Sequence, residues 1–583
     1  MEHITLPNLF FQKALENSDK PFLWAKKEGE WESLSWQETE KKVKQLAAGL
    51  KYNGILPGDK VIIVSENRPE CLISDLAINT LNAITVPAYT TNTEDDHRYI
   101  IEHSDAKAVI VSNNILANRI ALALSKVESC NLLITIDEYS GFMPESLKVE
   151  SFEKLLKIGD ENLSTALHNL NTIDKDDICC LIYTSGTGGR PKGVMLTHRS
   201  IYHNILGADN LVKQVGDIDH TYLSLVPYSH AYEHMAIFLQ IYLGAQIYFS
   251  EGPDKFAANL LEVAPTLSTA VPRLFEVLYD RIRIQIKNSG KLLQFAFNRT
   301  VNLGKKNLFN ELNFIEKIEH NTYCKLIRNR ITKRLGGRLS AFISGGSALN
   351  PDIGYFFLSL GVQIIQGYGQ TEASPLISAN PPIKVKIETV GPPIKGVEVK
   401  LSEEGELLVK GEGVMKGYWK QEKETSETII NGWLHTGDLA DIDEDGYITI
   451  KDRKKEIIVN SGGDNIAPVR PEASLTFQDI ILQAMVSGDR RPYLVALIVV
   501  DPEISKNISE EELNNEVSNA VKKANENLSQ IEKIKKYIII DEPLSTDNGM
   551  LTPTMKIRRH MVNEVYGEQL NNCLLYTSDA ADE

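Results

Sequence analysis

The sequence predicts an α/β fold, in which a large N-terminal domain of doubly wound sheets is followed by a small C-terminal α+β domain. Short apolar segments of strand type alternate with amphipathic helical patterns, which is typical of a parallel sheet. The clearest of these strands are 61–64, 108–111 and 132–136. More than one domain is expected, because 583 residues are too many for a single hydrophobic core. The strands expected in the second unit are 483–486, 494–500 and 537–540.

Composition and charge narrow the class of protein. The formal net charge of -16 argues against general nucleic-acid binding, which requires a basic surface. The first residues lack the pattern of a signal peptide, and the longest uncharged stretch, 235–250, is too short and too polar to span a membrane. Six cysteines without metal-binding spacing are typical of reduced thiols in a cytoplasm. We therefore expect a cytoplasmic protein.

Local sequence signals predict the first helix of the N-terminal domain and the strand that follows it. Ser35 and Glu38 form a capping box, which opens an amphipathic helix that ends near residue 50. A Pro-Gly pair then turns the chain into the strand at 61–64.

A glycine-rich run at 183–193 is the strongest motif of the chain. It follows an apolar strand at 178–183 and leads to a helix that opens at Thr197 or His198. Glycines let backbone N–H groups turn toward an anion, hydroxyls add donors, and a lysine brings positive charge. The candidate phosphate ligands are Thr184, Ser185, Gly186, Thr187, Gly188, Gly189 and Lys192. The run predicts a cradle for a polyphosphate.

Two common phosphate motifs do not fit this run. Lys192 follows Pro191 rather than a glycine, and no Ser or Thr comes next to hold magnesium, so it is not a Walker loop. Pro191 also stands where the dinucleotide fingerprint needs its third glycine. A flexible surface loop is the alternative, which the strand, the hydroxyls and the lysine disfavour.

Three further segments carry candidate ligands. The apolar segment 223–230 predicts a buried strand that ends in a proline turn and His230, although a lone histidine is usually structural. The segments 341–347 and 364–372 each predict a strand that runs into a glycine turn. Because the carboxyl ends of parallel strands bind ligands, we expect these turns and the glycine-rich run to form one crevice.

The stretch 280–338 changes the charge balance of the chain. It contains fourteen Lys and Arg residues and four acidic ones, a balance of +10 in an acidic chain. Interleaved Leu, Ile and Phe predict amphipathic helices with a basic face. A basic face is most often only solvated. The alternative is a peripheral contact with anionic lipid on the inner face of a membrane.

An acidic segment near residue 441 partly matches the calcium-binding loop of an EF-hand. Asp441, Asp443, Asp445 and Gly446 match its first half, but position twelve is Asp452 rather than Glu. The following residues alternate like a strand, so a hairpin turn is the better interpretation.

Together these motifs resemble the signatures of the adenylate-forming, or AMP-binding, synthetases. The glycine-rich run is similar to the phosphate loop of that family, which usually has Thr at the position of Gly188. The segment 551–559, with Met555 before Lys556, resembles the long-chain fatty acid CoA ligase branch. The resemblance extends from the first strands to Lys556.

The resemblance implies roles for individual residues. Lys556 would be the mobile catalytic lysine, Glu372 would bind Mg²⁺, and Thr184 would act with them in catalysis. His230 would lie beside the acyl-adenylate, and Asp452 would be the hinge of a mobile C-terminal domain. Gly462 and Gly463 would border the CoA channel. The other implied nucleotide contacts are Gly345, Gly346, Gly367, Tyr368, Gly369, Thr371, Asp438, Arg453 and Lys455.

The implied activity is AMP-forming ligation of a long-chain fatty acid to CoA, with MgATP as co-substrate. A medium-chain or aryl acid CoA ligase, or a fatty acyl-AMP ligase that loads a carrier protein, remains an alternative. So does a nucleotide-dependent lipid-binding protein without turnover. The domains expected from the resemblance are 1–451 and 452–572. Residues 573–583 break the helical pattern and resemble a translated sequencing adapter, so we expect them to be non-native.

Overall fold

A computed structural model of the chain describes ten segments. They are 4–142, 144–163, 170, 172–184, 190–216, 219–454, 456–506, 508–526, 528–552 and 555–575. The described strands form two eight-stranded sheets and three smaller ones. The predicted α/β architecture, with a large N-terminal part and a small C-terminal part, is confirmed.

The first large sheet is covered on both faces, as its continuous apolar strands require. Its neighbouring strands pair in parallel except at one edge, where β8, β9 and β18 are antiparallel. In spatial order the strands are β18 (Gly417–Tyr418), β9 (Lys192–Thr197), β8 (Ile178–Thr184), β4 (Ile84–Ala88), β3 (Lys60–Val64), β5 (Ala106–Val111), β6 (Leu132–Thr135) and β7 (Lys148–Ser151).

The second large sheet is also parallel except at its two edges, where β1 pairs with β2 and β14 with β15. In spatial order its strands are β15 (Leu376–Ala379), β14 (Gln363–Gly369), β13 (Ala341–Ser344), β12 (Leu267–Ala270), β10 (Thr221–Ser224), β11 (Gln246–Phe249), β1 (Pro21–Lys27) and β2 (Glu30–Ser35). The carboxyl ends of β10, β12, β13 and β14 therefore share one edge.

Helices cover both large sheets. One hydrophobic core contains residues of both sheets and of α1, α2, α3, α7 and α8, so these helices lie between the sheets. The helices of the N-terminal part are α1 (Leu6–Asn17), α2 (Trp36–Tyr52), α3 (Pro69–Thr80), α4 (Glu94–Ser104), α5 (Asn114–Leu124), α6 (Phe152–Glu161), α7 (His198–Val212), α8 (Ala231–Leu243), α9 (Phe256–Val263), α10 (Pro272–Lys287), α11 (Lys291–Leu308), α12 (Phe314–Arg334), α13 (Pro351–Ser359) and α14 (Glu422–Thr428). Within the described segments every helix is too short or too polar to cross a bilayer.

The smaller sheets follow the second large sheet in the chain. The five-stranded one consists of β16 (Glu398–Leu401), β17 (Glu406–Lys410), β20 (Trp433–Ile442), β19 (Ile429–Ile430) and β21 (Ile448–Arg453). The C-terminal sheets are the hairpin β22 (Ile458–Val459) with β23 (Asn465–Ile466), and the mixed sheet β24 (Ile481–Ser487), β25 (Leu494–Val500) and β26 (Ile534–Ile540). The C-terminal helices are α15 (Val469–Thr476), α16 (Pro502–Ser505), α17 (Glu510–Glu526) and α18 (Arg559–Leu575).

Local sequence signals can be compared with these elements. The capping box at the start of α2 is confirmed, because Ser35 Oγ accepts from Glu38 N at 3.1 Å and Glu38 Oε2 accepts from Ser35 N at 2.7 Å. The acidic turn is a hairpin loop, in which Asp443 Oδ2 lies 2.6 Å from the ammonium of Lys386. The expected break of the helical pattern at Cys573 is wrong, because α18 continues to Leu575.

A buried ion pair ties α3 to α8 between the large sheets. Asp75 is fully buried, and its Oδ2 lies 2.8 Å from His234 Nε2. Thr85 Oγ1 and Asn79 Nδ2 donate to Oδ1 at 2.5 and 2.7 Å, and the Tyr228 hydroxyl donates to Oδ2. Burial alone would raise the pKa of Asp75, but the charge of His234 and these hydrogen bonds lower it. The pKa of His234 is raised by Asp75 in spite of burial, so each partner favours the charged form of the other.

Replacing Asp75 tests this network. We expect Asp75→Ala to lower the free energy of unfolding by about 3–5 kcal/mol, because it leaves the buried His234 without its charge partner. Asp75 stabilises the folded state at pH values above its pKa in the unfolded chain, and His234 does so at pH values below its own unfolded pKa. The loss of unfolding free energy is therefore largest between about pH 4 and 6.5. Urea denaturation at several pH values measures it. The exposed Asp254→Ala is the control, and equal effects of the two substitutions would contradict the analysis.

Candidate active site

The glycine-rich run is the loop of a β-hairpin. Strands β8 and β9 are antiparallel, and Thr184 at the end of β8 pairs with Lys192 at the start of β9. Helix α7 begins at His198, as predicted, but a whole strand separates it from the loop. The predicted order of strand, loop and helix is therefore wrong, and the loop does not sit on a helix N-terminus. The predicted ligands outside the described residues are Ser185, Gly186, Thr187, Gly188 and Gly189.

Aromatic side chains hold the two ends of this loop. The Tyr183 hydroxyl lies 2.9 Å from His103 Nδ1, and the Tyr99 hydroxyl donates to the Pro191 carbonyl at 3.0 Å. The backbone N–H of Trp419 donates to the Gly193 carbonyl at 2.8 Å. These bonds fix where the loop leaves the sheet and where it returns.

The predicted glycine turns differ from each other. Gly345 and Gly346 do follow β13, and Gly346 has the left-handed φ of +90° that favours glycine. Gly367 and Gly369 instead lie within β14, paired with β15, so the prediction of a turn there is wrong. A Cβ on Gly369 would lie 1.7 Å from the Pro375 carbonyl oxygen, so close strand packing requires that glycine.

Glu372 lies in the turn after β14, in a short 3₁₀ helix over Thr371–Ala373. Its Oε1 accepts from the Tyr418 hydroxyl at 2.9 Å, and its carbonyl accepts from Met415 N at 2.8 Å. The buried Asn204 of α7 donates to the Ala373 carbonyl at 3.1 Å. The turn is thus held by the helix that follows the phosphate loop and by the segment that leads into β18.

Asp438 is the buried carboxylate of the site. Its Oδ2 accepts from the Tyr368 hydroxyl at 2.5 Å, and its Oδ1 lies 3.3 Å from Arg453 Nε. Its backbone N–H donates to Thr436 Oγ1 at 3.1 Å. Burial raises the pKa of Asp438, while Arg453 and the Tyr368 hydroxyl oppose that rise. Residues of β14, β20 and β21 therefore meet at this carboxylate.

Lys556 reaches the same place from the C-terminal part. The residue is solvent-exposed, although its ammonium is partly desolvated. This desolvation lowers the pKa of Lys556, Arg453 lowers it further, and Asp438 and Glu456 oppose the shift. Lys556 also acts on His230 electrostatically. The lysine therefore lies within electrostatic range of both Asp438 and His230.

His230 caps the N-terminus of α8 and is neutral. Burial and then the charge of Lys556 lower the pKa of His230 to about 4. Its Nδ1 accepts from the Tyr232 N–H at 3.1 Å, so the hydrogen of the neutral ring lies on Nε2. Tyr232 in turn packs 3.5 Å from the place of a Cβ on Gly345. His230 can therefore donate one hydrogen bond next to the turn after β13.

Of the remaining predicted residues, Asp452 adjoins this cluster through Arg453. Asp452 is buried in β21, where its Oδ1 accepts from Arg453 N at 2.6 Å and burial raises its pKa. Gly462 and Gly463 form the turn between β22 and β23, beside Ser461, whose N–H donates to the Arg491 carbonyl. Lys455 lies outside the described residues.

Sequence reasoning missed Tyr418, Asn204 and Tyr232, which hold the predicted residues in place. Each lies in a segment that has no glycine motif or charge pattern. Their importance depends on partners at least 46 residues away along the chain, as Tyr418 and Glu372 illustrate. The Gly-Tyr-Trp run at 417–419 was the only local signal available for Tyr418.

Comparison with known proteins places this architecture in a family. Residues 10–419 match the AMP-binding enzyme family, and residues 455–578 match the AMP-binding enzyme C-terminal domain. The two matches define an adenylate-forming type of enzyme. The chain belongs to the AMP-binding enzyme family.

Its relatives include ligases of long-chain fatty acids. The chain is 31% identical to the long-chain-fatty-acid–CoA ligase FadD15 of Mycobacterium bovis, over 98% of this chain and 97% of that protein. It is also 31% identical to the peroxisomal long chain acyl-CoA synthetase 6 of Arabidopsis thaliana, over 93% and 82%. A chloroplastic long-chain-fatty-acid–[acyl-carrier-protein] ligase of the same plant, AEE15, is 29% identical over 92% and 82%.

Solved structures of the family share the fold. The adenylation domain of a carboxylate reductase from Mycobacterium chelonae has a TM-score of 0.78 at 20% identity, over 98% of this chain and 91% of that one. The o-succinylbenzoate CoA synthetase of Bacillus subtilis, solved with ATP and magnesium, has a TM-score of 0.68 at 20% identity, over 95% and 98%.

The environment of Lys556 gives a pH prediction. Because desolvation and Arg453 lower its pKa, we expect the Lys556 amine to lose its proton at a lower pH than a solvated lysine. Reaction with an amine-acylating reagent across pH, read by mass spectrometry, measures this, with surface lysines as internal references. In Asp438→Asn the midpoint should move lower still, because a charge that favours the ammonium is removed. A midpoint that is unaffected by this substitution would contradict the assignment.

Proposed function

We propose that the chain is an AMP-forming long-chain fatty acid CoA ligase. The observation that carries the proposal is the electrostatic influence between one lysine, Lys556, and both Asp438 and His230. Asp438 would accept the ribose hydroxyls and His230 would face the acyl group, so the lysine stands between the two substrates. The similarity to long-chain fatty acid ligases over nearly the whole chain supports the choice of substrate.

The first step joins two anions, because a fatty acid carboxylate attacks the α-phosphate of ATP and expels pyrophosphate. Preorganised positive charge and hydrogen-bond donors lower such a barrier. In our proposal Lys556 and Lys192 supply charge, Thr184 and the loop at 185–189 supply donors, and Thr371 meets the α-phosphate. His230 donates from Nε2 toward the acyl oxygen.

The adenosine would lie against the second large sheet. Gly345, Gly346 and the Tyr368 ring would hold the adenine, with Gly367 and Gly369 allowing β14 to pack closely. Asp438 accepts from Tyr368 and forms an ion pair with Arg453, and its position would suit it to accept from ribose as well. Lys455 would lie near the nucleotide.

The residues around Glu372 fit a magnesium ion. Its Oε1 is occupied by the Tyr418 hydroxyl, and Oε2 makes no hydrogen bond with a described residue. Within the described segments no three His, Cys, Asp or Glu side chains cluster as a metal site. One carboxylate completed by phosphate oxygens is the arrangement that Mg²⁺ often takes with nucleotides. When bound, the ion would neutralise phosphate charge and orient the pyrophosphate leaving group.

The second step transfers the acyl group to CoA, whose thiol sulfur attacks the acyl-AMP carbonyl and displaces AMP. We propose that the segment after the hinge residue Asp452 turns as a unit between the steps, which removes Lys556 from the crevice. Gly462 and Gly463, which form an open turn, would then border the pantetheine channel.

A carrier-protein ligase is the second candidate function. The similarity to a long-chain-fatty-acid–[acyl-carrier-protein] ligase favours it. The first half-reaction would be identical, and only the thiol acceptor would differ. Medium-chain and aryl acids are alternative substrates of the same chemistry, and a lipid-binding protein without turnover is the non-enzymatic alternative.

We also propose that a peripheral contact with anionic lipid lies at one corner of the stretch 280–338. There α10 meets α11, and Arg334 at the end of α12 hydrogen-bonds Gln285. Leu292 and Phe295 are 88% and 63% exposed at this corner. The exposed bases around it are Arg281, Arg283, Lys287, Lys291, Arg330, Lys333 and Arg334. Apolar side chains ringed by bases suit the surface of an anionic bilayer.

The opposite end of α11, where the chain turns into α12, differs in how its charges are paired. Phe314 and Ile315 are 79% and 70% exposed there, but three of the nearby bases form ion pairs. Lys306 Nζ lies 2.6 Å from a carboxylate oxygen of Glu316, and similar pairs involve Arg299 and Lys305. The charge that attracts lipid is therefore concentrated at the first corner.

The proposed activity is tested by release of AMP and pyrophosphate with acids of increasing carbon number. We expect pyrophosphate release to depend on a long-chain acid, and AMP release to depend on CoA. Replacement of CoA by an acyl carrier protein separates the two acceptors. Binding of acid and nucleotide without pyrophosphate release would overturn the enzymatic proposal.

The role of Lys556 is tested by separating the half-reactions. Loss of one such transition-state contact costs about 2.7–4 kcal/mol, so Lys556→Ala should lower adenylation roughly 100- to 1,000-fold. Thioester formation from supplied acyl-AMP should fall much less, because the lysine would have left the crevice. Equal losses in both half-reactions would refute the rotation.

Vesicle sedimentation tests the lipid corner. We expect Lys287→Gln/Lys291→Gln to weaken binding to phosphatidylglycerol vesicles about tenfold or more, since each base near the surface contributes about 1 kcal/mol. Leu292→Ser/Phe295→Ser should weaken it as well. Phe314→Ser/Ile315→Ser, equally exposed at the other end, is the matched control. Equal binding of the native protein to neutral and anionic vesicles would exclude the proposal.

A further inference from the structure

Tyr418 touches two of the motifs that surround the nucleotide crevice. It lies in β18, is 6% exposed, and donates its hydroxyl to Glu372 Oε1 at 2.9 Å. Lys192 Nζ stands 4.7 Å from the centre of its ring. The hydroxyl therefore contacts the turn after β14, while the ring face contacts the lysine of the phosphate loop.

The backbone around Tyr418 is fixed to the phosphate hairpin. Strand β18 pairs with β9, with Tyr418 opposite Val194, two residues after Lys192. The Tyr418 N–H donates to Thr425 Oγ1 at 2.9 Å. The ring position is thus set by the strand that returns from the loop, and any displacement of the loop base would move the hydroxyl relative to Glu372.

We infer that Tyr418 is a positioning residue that aligns Glu372 for a divalent cation and Lys192 for the phosphates. The inference rests on the proposed role of Glu372 as the cation ligand. An aliphatic carboxylate in a turn has several rotamers, and ordering a flexible side chain on binding costs free energy. A hydrogen bond to one carboxylate oxygen removes that cost in advance and leaves the second oxygen for the cation.

The lysine contact acts in the same way on the anion. An ammonium over an aromatic face is attracted by the negative ring surface. The ring therefore holds the Lys192 ammonium near the loop without neutralising its charge, as a carboxylate partner would. One side chain thus links the group for the cation and the group for the phosphates at a fixed spacing.

Two substitutions separate the hydroxyl from the ring. Tyr418→Phe removes only the bond to Glu372, and Tyr418→Leu also removes the face below Lys192. Binding of Mn²⁺, a paramagnetic probe, is measured by electron paramagnetic resonance in the presence of a non-hydrolysable ATP analogue and without fatty acid. Binding of the analogue alone is measured in the presence of a chelator.

We expect Tyr418→Phe to weaken Mn²⁺ binding about tenfold, as for loss of a hydrogen bond to a charged group, and to leave metal-free binding of the analogue unchanged. Tyr418→Leu should weaken both. Tyr355→Phe is the matched control, because Tyr355 also donates to a carboxylate, that of Glu388. It should bind Mn²⁺ like the native protein. Native Mn²⁺ affinity in Tyr418→Phe would overturn the inference.

A double-mutant cycle distinguishes this failure from failure of the proposed function. In Glu372→Gln the metal affinity should fall, and adding Tyr418→Phe should then change it little, because the partner is already gone. Fully additive losses would overturn the positioning role. If Glu372→Gln leaves Mn²⁺ binding unchanged, the proposed role of Glu372 fails, and the inference fails with it.

Discussion

Burial of the Asp438 carboxylate is the constraint on which the arrangement of the site depends. A carboxylate out of water must be matched by donors and positive charge, or its burial destabilises the fold. Its partners come from separate elements: Tyr368 from the second large sheet and Arg453 from the five-stranded sheet. Lys556, from the C-terminal part, adds charge of the sign that Asp438 needs. The same requirement that stabilises this carboxylate therefore assembles the crevice.

Ion pairs of Arg559 hold the segment that carries Lys556. Arg559, three residues after Lys556, makes two bonds of 2.7 Å to the two carboxylate oxygens of Glu472. It also lies 3.5 Å from Glu456, which follows β21 closely in the chain. Burial raises the pKa of Glu472, and the Arg559 charge opposes that rise. A paired arginine thus joins the segment after the proposed hinge to the lysine segment, so that both would move together.

Local patterns were sufficient for features whose physical cause is local. The capping box of α2, the start of α7 at His198 and the buried apolar strands follow from residues within a few positions of one another. Strand β9 was missed because its hairpin partner, rather than its own composition, makes it a strand. Strand β14 extends through two glycines because β15 returns alongside it. Tyr418 was missed for the same reason, since its partners lie in two other motifs.

In the helical stretch 280–338, the net charge counted along the sequence does not describe how charge is distributed on the folded surface. The balance of +10 is a property of the sequence, but pairing in space divides it unevenly. Near Phe314, carboxylates of α12 and α13 pair with Arg299, Lys305 and Lys306, so part of the positive charge there is neutralised. Near Leu292, the ends of three helices bring exposed bases together, among them Lys287, Lys291 and Arg334. A surface potential depends on neighbours within about a Debye length, roughly 8–10 Å, so these pairs reduce the positive potential near Phe314. The positions of the ion pairs, as well as the total charge, therefore determine where this surface is positive.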